Sequence, residues 1–307
     1  IFLLGPYGIP IDRKGKIIIM FTKERTLILL RRTINKLGIL NFVYYYLKII
    51  LSNHKEIDLN MGLYLIPAHG YYPGGPNFAH WLLDNLPQLY IKEFIDFQKI
   101  IINNKPLKWQ LETLKLLDFP DSKLYKHYKN LSKAKTIFFT TLRTRVKNND
   151  RDPITRKWLK NYLVRNTNIT EEGHRLFISR QNMNRGHIKN YEEFLNLLKN
   201  YKVDVYKPGE INLLNDIEIF ANTSLLISMH GAGTMNMIFS KRNDMKVIEI
   251  SYGEKWSNTR AYEIAKEMDY GFYSFKASSD NLKLRDGRFI ECCKVNLEKF
   301  EEIIKEL

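Results

Sequence analysis

From residue 176 onward, short apolar runs of strand length alternate with amphipathic helical patterns, and this alternation narrows the choice of fold more than anything else in the chain. Strand candidates fall at residues 176–179, 203–206, 225–229, 247–250 and 272–275, with helical patterns between them at 191–200, 213–221, 234–239 and 258–268. Strands and helices at that spacing build a parallel, doubly wound sheet, whose ligands bind beyond the carboxyl ends of the strands. One junction is unusual. The apolar run 225–229 passes directly into His230-Gly231-Ala232-Gly233, almost bare of side chains, and then into the helical pattern 234–239. Such a corner exposes backbone N–H groups at the positive end of a helix, where anions sit favourably. The alternative is a tight turn that needs glycine only for its backbone angles.

The first half is less regular. Strands are expected at 17–21, 63–66, 100–102 and 136–139, and helices at about 78–97, 107–117 and 154–164. The polar stretch 147–153 reads as a loop, and a last helix, 297–307, follows a turn at Asp286-Gly287. A chain of 307 residues exceeds what one typical core supports. The expectation is an α/β protein of two doubly wound domains facing across a cleft. Residues 1–165 and 166–285 would form the two domains, with a terminal helix, 286–307, packing back on the first.

Composition excludes some classes. Hydrophobic residues at 44% and charged residues at 26% suit a water-soluble globular chain. The longest apolar run, 37–47, is too short to span a bilayer. It is flanked by Arg31, Arg32, Lys36 and Lys48, so a buried helix is expected there, with a peripheral membrane contact as the alternative. The net charge, 48 − 33 = +15, favours anionic partners. The lysines are scattered and no basic stripe with interleaved aromatics stands out, so no nucleic-acid partner is expected. The two cysteines, Cys292 and Cys293, are adjacent and poorly placed to bridge, which points to a reducing compartment, the cytoplasm. No His or Cys cluster has zinc spacing, and no metal is expected. Glycosylation triplets start at Asn130, Asn168 and Asn222, the last abutting a buried strand.

Four constellations could carry chemistry. Tyr71-Tyr-Pro-Gly-Gly-Pro-Asn77 opens onto a helix on which His80 and Asp84 share a face four residues apart, and Pro87 should kink it just beyond. A carboxylate beside an imidazole suits a general base; a capping and salt-bridge pair is the plain alternative. Arg180 sits at a strand's carboxyl end and Arg185 in the loop before the next helix, which Asn190 would cap. Guanidinium forks there suit a diphosphate, or they are solvated loop cations. Glu249 lies in a strand that reads as buried, so a ligand hydroxyl or a basic partner is expected beside it. Asp150-Arg-Asp152 spells a metal-binding D-x-D pattern, but in a polar loop rather than at a strand end.

In order along the chain, His80-Trp-Leu-Leu-Asp84-Asn-Leu-Pro87, Ile178-Ser179-Arg180 with Arg185 and Asn190, Ser228-Met-His230-Gly231-Ala232-Gly233 with Asn236 and Phe239, and Val247-Ile-Glu249 resemble the family 61 glycosyltransferases over roughly residues 60–275. The resemblance implies a two-domain GT-B fold, an inverting reaction, a nucleotide-sugar donor that is usually UDP-linked, a hydroxyl acceptor on a glycan or glycoprotein, and no obligatory metal or other cofactor. By match to the family's motifs, Asp84 corresponds to the proposed base, with His80 beside it. Arg180 and Arg185 correspond to the diphosphate-binding arginines; His230, Gly231, Ala232, Gly233 and Asn236 to the donor-site turn; and Asn190 and Glu249 to further donor-side positions. The chain departs from the pattern at Tyr191, which precedes Glu192; at Thr234, which moves a hydroxyl back by one; and in 213–220, which lacks a glutamine. Two rival readings are a metal-dependent GT-A transferase using Asp150 and Asp152, and an inactive polyanion or nucleic-acid binder.

Overall fold

The computed structural model describes residues 1–4, 9–12, 14, 16–18, 23–51, 59–65, 77–103, 105–127, 131–138, 153–181, 186–252, 259–283 and 289–307. The loop 71–76, Asn130, Asp150, Asp152, Arg185 and the turn 286–287 lie outside them. The chain divides into two compact units, Ile1–Leu159 and Lys160–Leu307.

The first unit holds β1 (Phe2–Leu4), β2 (Ile9–Ile11), β3 (Leu59–Tyr64), β4 (Lys99–Asn103), β5 (Leu124–His127) and β6 (Leu131–Phe138) in the order β2-β1-β6-β3-β4-β5. The pairs β3–β4, β3–β6 and β4–β5 are parallel, whereas β1 runs antiparallel to β6 and β2. Three consecutive buried isoleucines, Ile100, Ile101 and Ile102, mark β4 as covered on both faces. The expected strand 17–21 reduces among the described residues to a single bridge between Ile17 and Ile11.

Helices Lys23–Leu37 and Ile39–Leu51 are separated by Gly38, whose φ of +80° breaks the first helix. The apolar run expected to be buried falls in the second of these, and that expectation is overturned: Ile49 is its only buried residue. Phe42, Tyr45, Tyr46 and Ile49 pack on Leu4, Ile9 and Ile11. The helix is apolar nearly all round, and its second apolar arc faces outward, with Leu40 at 83% exposure and Leu51 at 78%.

The second unit is the regular one. It holds β7 (His174–Ile178), β8 (His187–Ile188), β9 (Asp204–Tyr206), β10 (Thr223–Met229), β11 (Lys246–Tyr252), β12 (Gly271–Lys283) and β13 (Phe289–Lys294) in the order β8-β13-β12-β11-β10-β7-β9. The strands from β9 to β12 in that row are all parallel. Taken in chain order they run second, first, third, fourth, fifth, so the winding reverses between β7 and β10. This α/β arrangement is compatible with a Rossmann-like fold, and the crevice at such a reversal is where ligands bind. Helices Tyr191–Asn200, Leu213–Ala221 and Thr259–Glu267 fall on the expected segments. β12 runs on to Lys283 and pairs antiparallel with β13, a pairing the periodicity does not announce.

The last helix, Leu297–Lys305, packs its buried face within the second unit. Its Phe300 is fully buried between Phe194 and Phe275, with edge-to-face centroid distances of 4.9 and 5.1 Å. A core already lined by aromatic rings on the helix Tyr191–Asn200 and on β12 offered the nearest apolar surface. Replacing Phe300 with Ala should therefore destabilise the second unit by about 3–5 kcal/mol. Urea unfolding followed by tryptophan fluorescence and circular dichroism measures this, and a loss under 1 kcal/mol would contradict the packing described.

Candidate functional site

In the first unit, Asn77 caps a helical segment by accepting from the His80 N–H at 3.3 Å. Instead of one helix over 78–97, the chain makes an α turn at Phe78–His80, a π turn at Trp81–Asn85 and a 3-10 helix at Leu86–Glu93. Pro87 is the cause. It has no N–H to return to Leu83, and its ring would strike that carbonyl in an α-helix. The widened turn, closed by Leu86 N–H to the Trp81 carbonyl, relieves the clash. Side-chain amides take over lost backbone bonds: Asn85 Nδ2 donates to the His80 carbonyl at 2.9 Å and Gln88 Nε2 to the Asp84 carbonyl at 2.8 Å. Trp81 Nε1 donates to Thr113 Oγ1 at 2.8 Å, tying the segment to the helix Lys108–Leu116.

His80 Nδ1 and Asp84 Oδ2 are 2.5 Å apart in surroundings that leave His80 9% and Asp84 5% exposed. An ionised carboxylate there would only accept, with the proton on Nδ1. The result is a carboxyl group held in one orientation at a π turn, a local irregularity that recurs at functional sites.

In the second unit, Arg180 follows β7 and His230 follows β10, on the two sides of the winding reversal. Arg180 Nη1 donates to the His230 carbonyl at 3.2 Å. The approach is close enough that a Cβ on Gly231 would overlap Nη1 and push the guanidinium aside. Gly231 leads into a 3-10 helix, Ala232–Phe239. A Cβ on Gly233 would come within 3.0 Å of Ile178, and Asn236 Nδ2 donates to the Gly233 carbonyl at 2.9 Å. Bare backbone lies beside a guanidinium, and the turn is pinned from behind.

Glu249, fully buried on β11, organises the same corner. Its Oε1 lies 3.0 Å from His230 Nδ1 and accepts from Thr234 Oγ1 at 3.3 Å, while Ser228 Oγ is 2.7 Å from Thr234 Oγ1. The hydroxyl set back by one position in the sequence thus becomes a link between Ser228 and Glu249. Glu249 Oε2, also buried, has no hydrogen-bond partner among the described residues. An unmet acceptor of that kind beside a ligand crevice is suited to a hydroxyl donor.

Asn190 behaves differently from its expectation. Its side chain makes no cap bond; instead Nδ2 donates to the Val295 carbonyl at 2.8 Å and Oδ1 accepts from the Val295 N–H at 3.0 Å. It is a clamp between the start of the helix Tyr191–Asn200 and the chain after β13. The structure thus brings together Arg180, His230, Gly231, Gly233, Asn236 and Glu249, with Ala232 at the start of the 3-10 helix, and joins His80 to Asp84 separately in the first unit.

Several residues escaped the sequence reading. Tyr191, which interrupts the family pattern, donates through its hydroxyl to Ser179 Oγ at 2.9 Å, just before Arg180. Gln181 bonds in both directions with the backbone of Ile188, at 3.2 and 3.1 Å. Gly186, with φ of +78°, lies beside Arg180 and the Tyr252 hydroxyl. A glycine next to an arginine-bearing loop was the one available signal for it. No group of three His, Cys, Asp or Glu residues arranged to hold a metal occurs among the described residues.

A family model described as Glycosyltransferase 61 matches residues 78–248. That span begins at the capped segment of the first unit and ends one residue before Glu249. No curated protein matches the chain.

The crowding at Gly231 makes a test. Gly231→Ala should displace Arg180, lowering stability by about 1–3 kcal/mol and weakening inorganic pyrophosphate binding at least about tenfold. Thermal unfolding and titration calorimetry read the two effects, and unchanged pyrophosphate affinity would separate the corner from anion binding.

Proposed function

The chain belongs to glycosyltransferase family 61 and is a transferase enzyme, and on that premise we propose that it inverts the anomeric centre while moving a sugar from a nucleotide diphosphate to a hydroxyl of a glycan or glycoprotein acceptor. The observation that carries this reading is the Arg180 guanidinium drawn onto the His230–Gly231 corner at the winding reversal. The proposed architecture is GT-B, with residues 1–165 serving the acceptor and 166–285 the donor. A UDP-linked donor is the first choice, on the family's habit.

In the proposed reaction Asp84 accepts the proton of the acceptor hydroxyl while that oxygen bonds to the anomeric carbon. The bond from the anomeric carbon to the β-phosphate oxygen breaks, and the nucleotide diphosphate leaves with the electron pair. His80, bonded to Asp84 through Nδ1, orients the carboxylate. Arg180 and the N–H groups after His230 take the charge that grows on the leaving phosphate, an effect worth about 3 kcal/mol per preorganised donor. Arg185 is assigned the same task by its place in the family pattern. Glu249, with one oxygen holding His230 and the other unmet, is suited to a hydroxyl of the donor. Asn190 enters this scheme only as a support for the loop, given its bonds to Val295.

We assign charge neutralisation to these cationic and N–H groups and propose that no metal is required. Cys292 and Cys293 form no disulfide and are both buried, which supports a reducing compartment such as the cytoplasm.

Asp84→Asn should lower the turnover number by about 10²–10⁴-fold with donor affinity nearly unchanged, because only the proton acceptor is lost. Arg180→Ala should weaken donor binding about tenfold or more as well as slow transfer. Product release from a panel of UDP- and GDP-sugars, with and without EDTA, measures both. Wild-type turnover in the Asp84 variant would remove that residue from the mechanism, and loss of activity in EDTA would remove metal independence.

A further inference from the structure

The helix Ile39–Leu51 presents two apolar faces. One packs on β1 and β2, as described above. The other carries Ile39, Leu40, Val43, Leu47, Ile50 and Leu51, each between 44% and 83% exposed. At 100° per residue these six positions fall within about one third of the helix circumference. Tyr44, 57% exposed, extends the same arc. Scattered exposed apolar residues are ordinary on a protein surface, but a continuous stripe of this size marks a contact.

The charge around the stripe selects its partner. Between Glu24 and Glu56 the sequence has no acidic residue and six Lys and Arg. Arg31, Lys36 and Lys48 are exposed, and the Lys48 ammonium lies 6.0 Å from the centre of the Tyr44 ring. A second copy of this chain would set such cations against their own images, which is repulsive. An anionic surface is attracted by all of them. No helix among the described residues is long and apolar enough to cross a membrane. An apolar face with a tyrosine and Lys48 at its margin, following a helix with exposed Arg31 and Lys36, has the character of a helix lying in the headgroup region of a bilayer.

We propose that the exposed face of Ile39–Leu51, with Arg31, Lys36 and Lys48, docks this protein on an anionic lipid bilayer. The apolar side chains enter the boundary between headgroups and acyl chains, and the cations pair with lipid phosphates. Each inserted methylene and each cation near the surface adds to binding, so both kinds of residue contribute. The proposal is independent of the sugar-transfer reading, since it uses none of the residues assigned there.

Flotation of the full chain with vesicles tests it. Vesicles of phosphatidylglycerol and phosphatidylcholine in equal parts should bind at least about tenfold more tightly than pure phosphatidylcholine, with the difference shrinking at 0.5 M salt. Leu40→Gln combined with Leu47→Gln should lower binding to the anionic vesicles about tenfold, and so should Lys36→Gln with Lys48→Gln. All four positions are solvent-exposed, so unfolding temperature and circular dichroism should not change. Equal binding to both vesicle types would overturn the proposal, as would undiminished binding by the Leu40/Leu47 variant. A chain that sediments as a dimer, and becomes monomeric only when Leu40 and Leu47 are changed, would overturn it in favour of self-association.

Discussion

The second unit is built around a single near-collision: the guanidinium of Arg180 against the backbone at Gly231. It exists because the parallel sheet reverses its winding between β7 and β10, which lets the chain ends of two neighbouring strands diverge and leaves a crevice. A guanidinium reaching across that crevice to the His230 carbonyl requires a residue with no Cβ directly behind it. The remaining features of the corner follow from keeping it still. Glu249 steadies His230, Thr234 bridges to Ser228, and Asn236 closes the turn on Gly233. A buried polar network of this kind is worth its desolvation only when nearly every member is satisfied, which gives the one unmet oxygen of Glu249 its significance.

Periodicity made the second unit legible. β7, β10 and β11, of five to seven residues, and helices of nine or ten have enough length for their patterns to stand out, and the helices Tyr191–Asn200 and Leu213–Ala221 fall on the residues the sequence designates. The first unit resisted for the opposite reason. β1 and β2 are three residues each and β5 four, too short for any period to register, and they owe their place to pairing with distant partners. The helix Ile39–Leu51 misled because hydrophobicity states that a surface wants covering, not what covers it. Periodicity likewise did not announce β13, the antiparallel partner of the long β12.

The site was legible in residue identity and much less so in arrangement. His80 and Asp84 were recoverable from an i, i+4 spacing, but the π turn that holds them arises from Pro87 together with the amides of Asn85 and Gln88. Asn190 had the right type for a cap and serves a different element, a choice made by the tertiary neighbour Val295. Departures from the family pattern acquired physical content. Tyr191 braces Ser179, and the shifted hydroxyl of Thr234 meets Glu249.

The adjacent cysteines on β13 have a consequence beyond redox compartment. Both thiols are fully enclosed, and burial pushes Cys293 up to about 12, so almost none of it is thiolate near neutrality. An alkylating reagent therefore reacts only with molecules in which β13 has come away from its neighbours β8 and β12. The rate of thiol labelling then becomes a clock for fraying at that border of the sheet, ticking independently of whether the far side of the same unit holds a ligand.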